Sequence, residues 1–324
     1  MIVQRRIARI AVACLACVAA AVALAQPYPS RPVKIIVAFT AGGTSDIMAR
    51  SLAQRLSERY GQSFVVENKP GAGGNIGTEM AVRSPPDGYT LIVNSVGPMA
   101  VNPTLYKSLP YDPLTDLVPV AQISDVPNVL VVHPSIGVKT LEQFVAYAKA
   151  NPGTLNYAST GIGTSSHLSG YMLASRAGFE ATHVPYNGAE ALKDLQAGRI
   201  QFMFATIPSV IAHIKAGNLV ALAVTSTARS RSLPEVPTVA ESGFPGFQAG
   251  SWFGVFAPKG TPAAIIAELN RATNEFIAER QVQSRMIEEG ADPAGGTPQQ
   301  FGAFVRREFE KWRTVVRESG ATVQ

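Results

Sequence analysis

Short apolar runs alternate with segments of helical periodicity along most of the chain. In the first hundred residues, three runs rich in β-branched residues have the composition of buried strands: VKIIVAF (33–39), SFVVEN (63–68) and TLIVNS (90–95). Between the first two, apolar residues recur at helical spacing up to Tyr60, and Gly61 follows as a C-terminal cap. The alternation predicts an α/β fold with parallel strands.

The segment 117–135 departs from this alternation. Two extended runs, PVAQI and NVLVVH, meet at Asp125-Val126-Pro127 without an intervening helix, which indicates a passage into a second domain. A second α/β unit then begins after Lys139, where Thr140 and Gln143 form a capping box.

The last part of the chain predicts a return to the first domain. The run SWFGVFAPKG (251–260) predicts a return strand, and two terminal helices follow, each with Thr-Pro at its N-cap and N1 positions: Thr261-Pro262 and Thr297-Pro298. We therefore expect two lobes, residues 26–123 plus 252–324 and residues 124–251. The chain would pass between the lobes twice, and two such connections form a hinge. The cleft between the lobes is therefore the expected ligand site.

The first 25 residues have the features of a signal peptide. Three arginines precede an apolar run (10–24) that is too short to span a bilayer and ends in Ala-Leu-Ala at 23–25. We predict cleavage after Ala25 and a periplasmic mature protein. An uncleaved N-terminal anchor and lipidation at Cys17 are the alternatives.

Loss of the leader would change the composition of the chain. Both cysteines, Cys14 and Cys17, leave with it, so the mature protein has no disulfide, no thiol nucleophile and no thiolate metal site. The three arginines also leave, which lowers the formal net charge from +5 to +2. The remaining charge gives no argument for a nucleic-acid partner.

The stretch FTAGGTSD (Phe39–Asp46) joins the first predicted strand to the first predicted helix. Its two glycines allow a sharp turn that brings backbone N–H groups close to a ligand, and the helix directs its positive end at the same place. Thr44 and Ser45 add hydroxyl donors, whereas Asp46 is expected to cap the helix by accepting from its free N–H groups. The pattern indicates an anion site, with a capped turn that binds nothing as the alternative.

A second stretch, YASTGIGTSSHLSG (157–170), repeats the design of strand end, glycines, hydroxyls and helix. Two such loops in two lobes would face each other across the cleft, which favours a ligand site over two unrelated turns. His167 is expected either to donate a proton to the ligand or to be a hydrogen-bonded structural residue.

The sequence offers little catalytic chemistry. The histidines show no metal-ligand spacing, no G-x-S-x-G motif occurs, and PGAGGNIG (70–77) does not fit G-x-G-x-x-G because position 76 is Ile. We therefore expect no metal, no cofactor and no catalytic residue. Trp252 and Phe253 are expected either to wall the cleft or to pack in the core.

Several segments in order resemble one protein family: YPSRPVKIIVAFTAGGTSD, VVENKPGAGGNIGTE, PDGYTL, LPYDPLTDLVPV, YASTGIGTSSHL, HVPYNG and SWFGVFAPKGTP. They are similar to the periplasmic substrate-binding proteins of tripartite tricarboxylate transporters, also called the Bug family. The resemblance covers essentially the whole mature chain. It implies a two-lobed periplasmic binding protein fold, type II-like, that closes on a small carboxylated solute.

The resemblance also implies which residues hold the solute. In the family the carboxylate is bound by backbone groups, hydroxyls and ordered water from two glycine-bearing loops, without an obligatory arginine. The corresponding positions, with Ser95 on a third loop and Tyr186-Asn187-Gly188 on a fourth, give these expected ligand-binding residues: Phe39, Thr40, Ala41, Gly42, Gly43, Thr44, Ser45, Asp46, Ser95, Ser159, Thr160, Gly163, Thr164, Ser165, His167, Tyr186, Asn187 and Thr206.

The chain departs from the family pattern at two places. The first loop has Thr40 and Ala41 where the family often has two prolines, and Ala205 and Thr206 stand where the family often has Asp or Asn. The side chains that select the solute therefore differ, and the ligand does not simply carry over.

The sequence thus predicts a solute-binding protein that captures a di- or tricarboxylate, an acidic amino acid or an aromatic acid by lobe closure. We expect a monomer that passes the solute to membrane subunits of a transporter, or reports it to a sensor. The rival hypotheses are a periplasmic hydrolase or isomerase that uses His167, and a structural or interaction module without a deep cleft.

Overall fold

The computed structural model describes residues 28–319. The predicted leader, its cleavage site after Ala25 and both cysteines lie outside the described residues. The strands are β1 (Val33–Val37), β2 (Phe64–Asn68), β3 (Thr90–Ser95), β4 (Leu117–Val132), β5 (Asn156–Ser159), β6 (Thr182–Pro185), β7 (Phe202–Thr206), β8 (Val220–Val224), β9 (Gly250–Pro258) and β10 (Asp292–Pro293).

Helices separate most of these strands. They are α1 (Thr44–Tyr60), α2 (Asn75–Val82), α3 (Asn102–Leu105), α4 (Leu141–Ala150), α5 (Ser165–Ala177), α6 (Glu190–Gln196), α7 (Ile207–Lys215), α8 (Ala263–Ala278), α9 (Arg280–Glu288) and α10 (Pro298–Ser319). A π-helical turn, Gly97–Val101, precedes α3, and 3₁₀ turns lie at Ala72–Gly74 and Pro134–Ile136. Within residues 28–319, no helix combines the length and the apolar character that crossing a bilayer requires.

The strands form two sheet halves that share β4. In the first lobe, β1 pairs in parallel with β2 and β3, and β9 joins antiparallel between β3 and β4. In the second lobe, β5 pairs in parallel with β6 and β7, while β7 and β8 pair antiparallel with β4. The expected two-lobed α/β fold with parallel strands in each lobe is confirmed.

Strand β4 is the passage between the lobes. It runs unbroken through the predicted junction: its pairing with β9 ends where Pro127 meets Gly250, and from Asn128 onward it pairs with β7 and β8. Proline lacks a backbone N–H and cannot donate to a ladder, so it suits the point where partners change. The lobe limits at 123/124 and 251/252 stay a prediction.

Both faces of the first sheet half are buried. Val33, Ile35 and Val37 pack beneath α1 and α8, whereas Ile36 faces a second cluster that extends into the other lobe. Successive side chains of a strand point to opposite faces, so a continuous apolar run such as VKIIV is what a sheet covered on both sides requires.

Several helix ends follow the sequence. Gly61 closes α1 at a φ of 63°, and its N–H donates to Ser57 O at 3.0 Å, as predicted. The capping box before α4 forms in part: Gln143 N–H donates to Thr140 Oγ1 at 3.2 Å, but Gln143 Oε1 accepts from Lys139 N–H, at 2.8 Å, and not from Thr140 N–H. The predicted start at Thr261-Pro262 is one residue early: Pro262 is the N-cap of α8, since the Thr261 hydroxyl instead donates to Pro258 O at 2.8 Å.

Candidate functional site

A cavity of about 60 Å³ lies where the loops of the two lobes meet. At about 30 Å³ per water molecule, this volume corresponds to about two water molecules. Residues of both lobes line it: Phe39, Gly43, Thr44, Ser45, Ser95, Val96, Gly97, Thr160, Thr164, Ser165, Gly188, Ala189, Thr206, Ser251 and Phe253. None of these lining residues carries a charged side chain.

Three helices begin at the wall of the cavity. Their N-cap residues are Gly43 of α1, Thr164 of α5 and Thr206 of α7, and all three line the cavity. Each helix N-terminus carries a partial positive charge of roughly half an elementary charge, together with backbone N–H groups that lack intrahelical acceptors. The cavity is therefore electropositive without containing a cationic side chain, which is the setting of an anion site.

The groups left free at this wall are mostly hydrogen-bond donors. The N–H groups of Thr44, Ser45 and Ser165 have no acceptor among residues 28–319. In the same part of the chain, four lining hydroxyls have no side-chain or backbone partner, those of Ser45, Ser95, Thr160 and Ser251. Donors that face the cavity without a protein acceptor can all bond to a ligand, so this wall favours a ligand rich in acceptor atoms.

Asp46 organises the first loop from behind. Its Oδ2 accepts from Gly42 N–H at 3.0 Å and from Arg50 Nε at 2.9 Å, and its Oδ1 accepts from Asn68 Nδ2 at 3.0 Å. Asn68 Nδ2 also donates to Phe39 O at 3.0 Å, so Asn68 ties the start of the loop to the carboxylate. The expectation that Asp46 caps α1 is wrong, because its carboxylate turns back to the loop and α1 has no side-chain cap.

This arrangement keeps the Asp46 charge away from an anion in the cavity. Burial alone would raise the pKa of Asp46, but the hydrogen bonds from Arg50, Gly42 and Asn68 outweigh burial and hold it below its ordinary value. The carboxylate is thus ionised at neutral pH and paired with Arg50. Asp46 does not line the cavity.

His167 supports the second loop in the same way. Its Nδ1 accepts from Gly163 N–H at 3.2 Å, and its ring stacks on that of His183 with 4.0 Å between centroids. His183 Nε2 is in turn 2.7 Å from Ser159 Oγ. Burial lowers the pKa of His167 to about 4, and burial together with the neighbouring His167 lowers that of His183 to about 3. Both rings are neutral at pH 7, and each bonds through a ring nitrogen to a residue of the second loop.

The lobes touch directly around the cavity. Thr40 Oγ1 accepts from Ala189 N–H at 2.9 Å, and Thr44 Oγ1 lies 2.8 Å from Thr206 Oγ1. Gly188 has a φ of 115°, and a Cβ there would overlap the Thr40 hydroxyl. The structure is therefore a closed state in which both glycine-bearing loops face one small cavity.

The structure brings half of the expected ligand-binding residues to the cavity wall: Phe39, Gly43, Thr44, Ser45, Ser95, Thr160, Thr164, Ser165 and Thr206. The others lie in the supporting loops outside the lining: Thr40, Ala41, Gly42, Asp46, Ser159, Gly163, His167, Tyr186 and Asn187. Tyr186 is directed elsewhere, because its hydroxyl donates to Asp194 Oδ2 at 2.6 Å. For these residues a direct contact with a solute is not supported by the geometry.

Four lining residues are not among those expected from the sequence: Val96, Gly97, Ala189 and Ser251. The sequence does contain a signal for Ser251, because alternate residues of a strand share a face and Phe253, two residues further on, is a candidate for the cleft wall. Phe253 does line the cavity, whereas Trp252 between them packs edge-on against Phe301. Of the two roles expected for these aromatic residues, Phe253 walls the cleft and Trp252 packs in the core.

Comparisons with known proteins agree with this geometry. A family model described as "Tripartite tricarboxylate transporter family receptor" matches residues 48–321. Protein BugT of Bordetella pertussis is 43% identical over 302 residues, which cover 93% of each chain.

Two solved structures resemble the whole described fold. The R. palustris protein Rpa4515, solved with adipate, has a TM-score of 0.89 and 39% identity, covering 91% of this chain and 99% of its own. MatC (Rpa3494) from Rhodopseudomonas palustris, solved with bound malate, has a TM-score of 0.85 and 32% identity, covering 89% of this chain and 100% of its own.

Proposed function

This chain belongs to the tripartite tricarboxylate transporter family of receptors, and on that premise we propose that it captures a small organic carboxylate between its two lobes. The expected class comprises dicarboxylates, tricarboxylates, acidic amino acids and aromatic acids. The proteins solved with adipate and with malate support this class, because both are similar to this chain over nearly its full length.

One observation carries the proposal: three helix N-termini converge on a cavity whose lining contains no charged side chain. A carboxylate there would accept from several N–H and O–H groups. Each such charge-assisted bond contributes about 1.5–3 kcal/mol, which gives useful affinity without a fixed counter-ion. Neutral donors also let a receptor release its solute.

Lobe closure follows from the placement of the donors. Thr44 and Ser45 belong to the first lobe, whereas Thr160 and Ser165 belong to the second, so only the closed state brings all of them to one ligand. A ligand with higher affinity for the closed state shifts the population toward it. The change of partners at Pro127 and Asn128 supports a hinge close to the proposed limits of the lobes, residues 26–123 plus 252–324 and 124–251.

Binding without catalysis is part of the proposal. His167 would have to act as an acid or base for a hydrolase or isomerase, but its Nδ1 accepts from Gly163 N–H and its side chain lies outside the cavity lining. The receptor would work in the periplasm after cleavage at Ala25, as a monomer, and would deliver solute to transporter membrane subunits or to a sensor.

A thermal-shift screen over dicarboxylates, hydroxy acids, acidic amino acids and aromatic acids tests the proposal, with sugars as controls. A ligand at about 100 times its Kd should add close to 2.7 kcal/mol to the free energy of unfolding. Mass spectrometry of the recovered solute then distinguishes binding from turnover. Stabilisation by sugars with none by any carboxylate would refute the carboxylate proposal, and a chemically altered solute would refute the claim that no catalysis occurs.

A further inference from the structure

Three hydroxyl groups form a chain at one corner of the cavity. Thr44 Oγ1 lies 2.8 Å from Thr206 Oγ1, and Thr206 Oγ1 lies 3.2 Å from Ser209 Oγ. Ser209 Oγ is in turn 2.7 Å from Thr206 O. Thr44 and Thr206 line the cavity, while Ser209 lies behind them in the first turn of α7.

The direction of this chain is fixed at its far end. A carbonyl oxygen only accepts, so the single proton of the Ser209 hydroxyl goes to Thr206 O. Ser209 Oγ then accepts from Thr206, and Thr206 Oγ1 accepts from Thr44. Every hydroxyl proton in the chain is used, so Thr44 Oγ1 presents only lone pairs to the cavity.

This acceptor corner lies beside free donors, namely the hydroxyls of Ser45, Ser95, Thr160 and Ser251 and the N–H groups of Thr44, Ser45 and Ser165. On the second lobe, the hydroxyl protons of Thr164 and Ser165 go to Gly161 O and Asn128 Oδ1, so these two side chains are acceptors as well. A carboxylate oxygen suits the donors, but against Thr44 Oγ1 it would place two acceptors together. The complementary solute carries a hydrogen-bond donor beside its carboxylate.

Two ordinary donors are available to a small carboxylic acid, an alcohol hydroxyl and a protonated amine. An ammonium group would be desolvated in a cavity with no carboxylate in its lining, which is costly without a charge partner. The carboxylate of the first loop, Asp46, is 4% exposed and already bonded to Gly42, Arg50 and Asn68. We propose that the solute is a hydroxycarboxylate whose hydroxyl donates to Thr44 Oγ1.

This inference rests on the proposed function and is tested within it by three matched ligands. Succinate, malate and aspartate differ at one carbon, which carries hydrogen, hydroxyl or ammonium. Isothermal titration of the full mature chain should give a Kd for the better malate enantiomer roughly 3- to 10-fold below that for succinate, the value of one neutral hydrogen bond. Aspartate should bind more weakly than succinate.

Two variants distinguish the effect of the acceptor at Thr44 from a nonspecific loss of binding. Thr44→Val should bring the ratio of the succinate Kd to the malate Kd close to one, because it removes the acceptor while keeping the side-chain shape. Ser209 lies outside the cavity, so Ser209→Ala should have little effect on the succinate Kd. The variant should at least halve the ratio, because Thr206 then has no Ser209 hydroxyl to donate to and can donate to Thr44, whose hydroxyl is no longer an obligatory acceptor. Thr182→Val, at an exposed strand position, is the control and should leave both values unchanged.

The outcomes are distinguishable. Tightest binding by succinate or aspartate, or a malate preference unchanged in both variants, overturns the hydroxycarboxylate inference and leaves the carboxylate receptor intact. If Thr44→Val fails to bind any ligand, the Ser209→Ala ratio alone decides. Failure of every carboxylate to bind the unaltered protein overturns the proposed function itself.

Discussion

The hydroxyl of Thr40 accepts a hydrogen bond from the backbone N–H of Ala189 across the cleft, at 2.9 Å. The two residues are 149 positions apart in sequence and belong to different lobes. Gly188, the neighbour of Ala189, has no side chain and so allows the second lobe to approach Thr40. This contact makes the closed state sensitive to a single methyl group.

Gly188→Ala should therefore weaken ligand binding by more than tenfold. The added Cβ would overlap the Thr40 hydroxyl and lie 3.0 Å from Thr40 N in the closed state, and the φ of 115° is unfavourable for alanine. Isothermal titration measures the loss, and small-angle scattering should show less compaction on adding ligand.

Gly217→Ala is the matched control for this variant. Its φ of 75° is also positive, but a Cβ there meets nothing within 4 Å, so backbone strain is present without a clash between lobes. Equal losses of affinity in the two variants would contradict the role of Gly188 in closure.

The Asp46 carboxylate should make stability depend on acid pH. Its pKa in the folded protein is held below the ordinary value, so its contribution is present above the unfolded pKa of about 4 and is lost as the pH falls through the folded pKa. Denaturant unfolding should show this loss below about pH 4.

Asp46→Asn should flatten that part of the pH profile. It should also lower the free energy of unfolding at pH 7 by about 1–3 kcal/mol, because the amide is a weaker partner for Arg50 and Gly42. Asp112→Asn is an exposed control. A profile for Asp46→Asn parallel to that of the unaltered protein would show that Asp46 contributes nothing to this dependence.

The stacked histidines should act in a higher pH window. The folded pKa of His167 is about 4, well below the unfolded value of about 6.5, so neutral His167 stabilises the fold above pH 6.5. That stability is lost progressively as the pH falls from about 6.5 toward 4, because the unfolded chain binds protons first.

His167→Gln should reduce the slope of the unfolding free energy across this window while leaving solute binding at pH 7 within a few-fold. Glutamine can still accept from Gly163 N–H, so loop support is partly kept. His133→Gln, at a half-buried position away from the cavity, is the control. A much larger loss of solute affinity in His167→Gln at pH 7 would instead indicate that this side chain contacts the ligand.

The backbone of the two loops was predictable because it depends on residues close together in the sequence. A strand end, a glycine turn, hydroxyl residues and a helix occur within short windows at 39–46 and 159–167, and short continuous apolar runs identify the strands. Hydroxyls that lie within a residue or two of a helix start, such as Ser45 and Ser165, followed directly from that pattern.

What the sequence did not reveal depends on residues distant in the chain. Asn68, one of the three partners of the Asp46 carboxylate, is 22 positions away, and the contact of Thr44 with Thr206 spans 162 positions. The two alternatives for His167, a ligand contact or a structural role, stayed open in the sequence because its stacking partner, His183, comes from a different element. Local patterns placed the loops, but only the fold shows which side chains face the cavity and which support it.

A crystal structure of the protein with a bound dicarboxylate or hydroxycarboxylate tests the central claim most directly. We predict one carboxylate between the lobes, with its oxygens about 2.7–3.2 Å from the N–H groups of Thr44, Ser45 or Ser165 and no lysine or arginine in contact. A carboxylate held by a cationic side chain, or bound outside the cleft, would contradict the account.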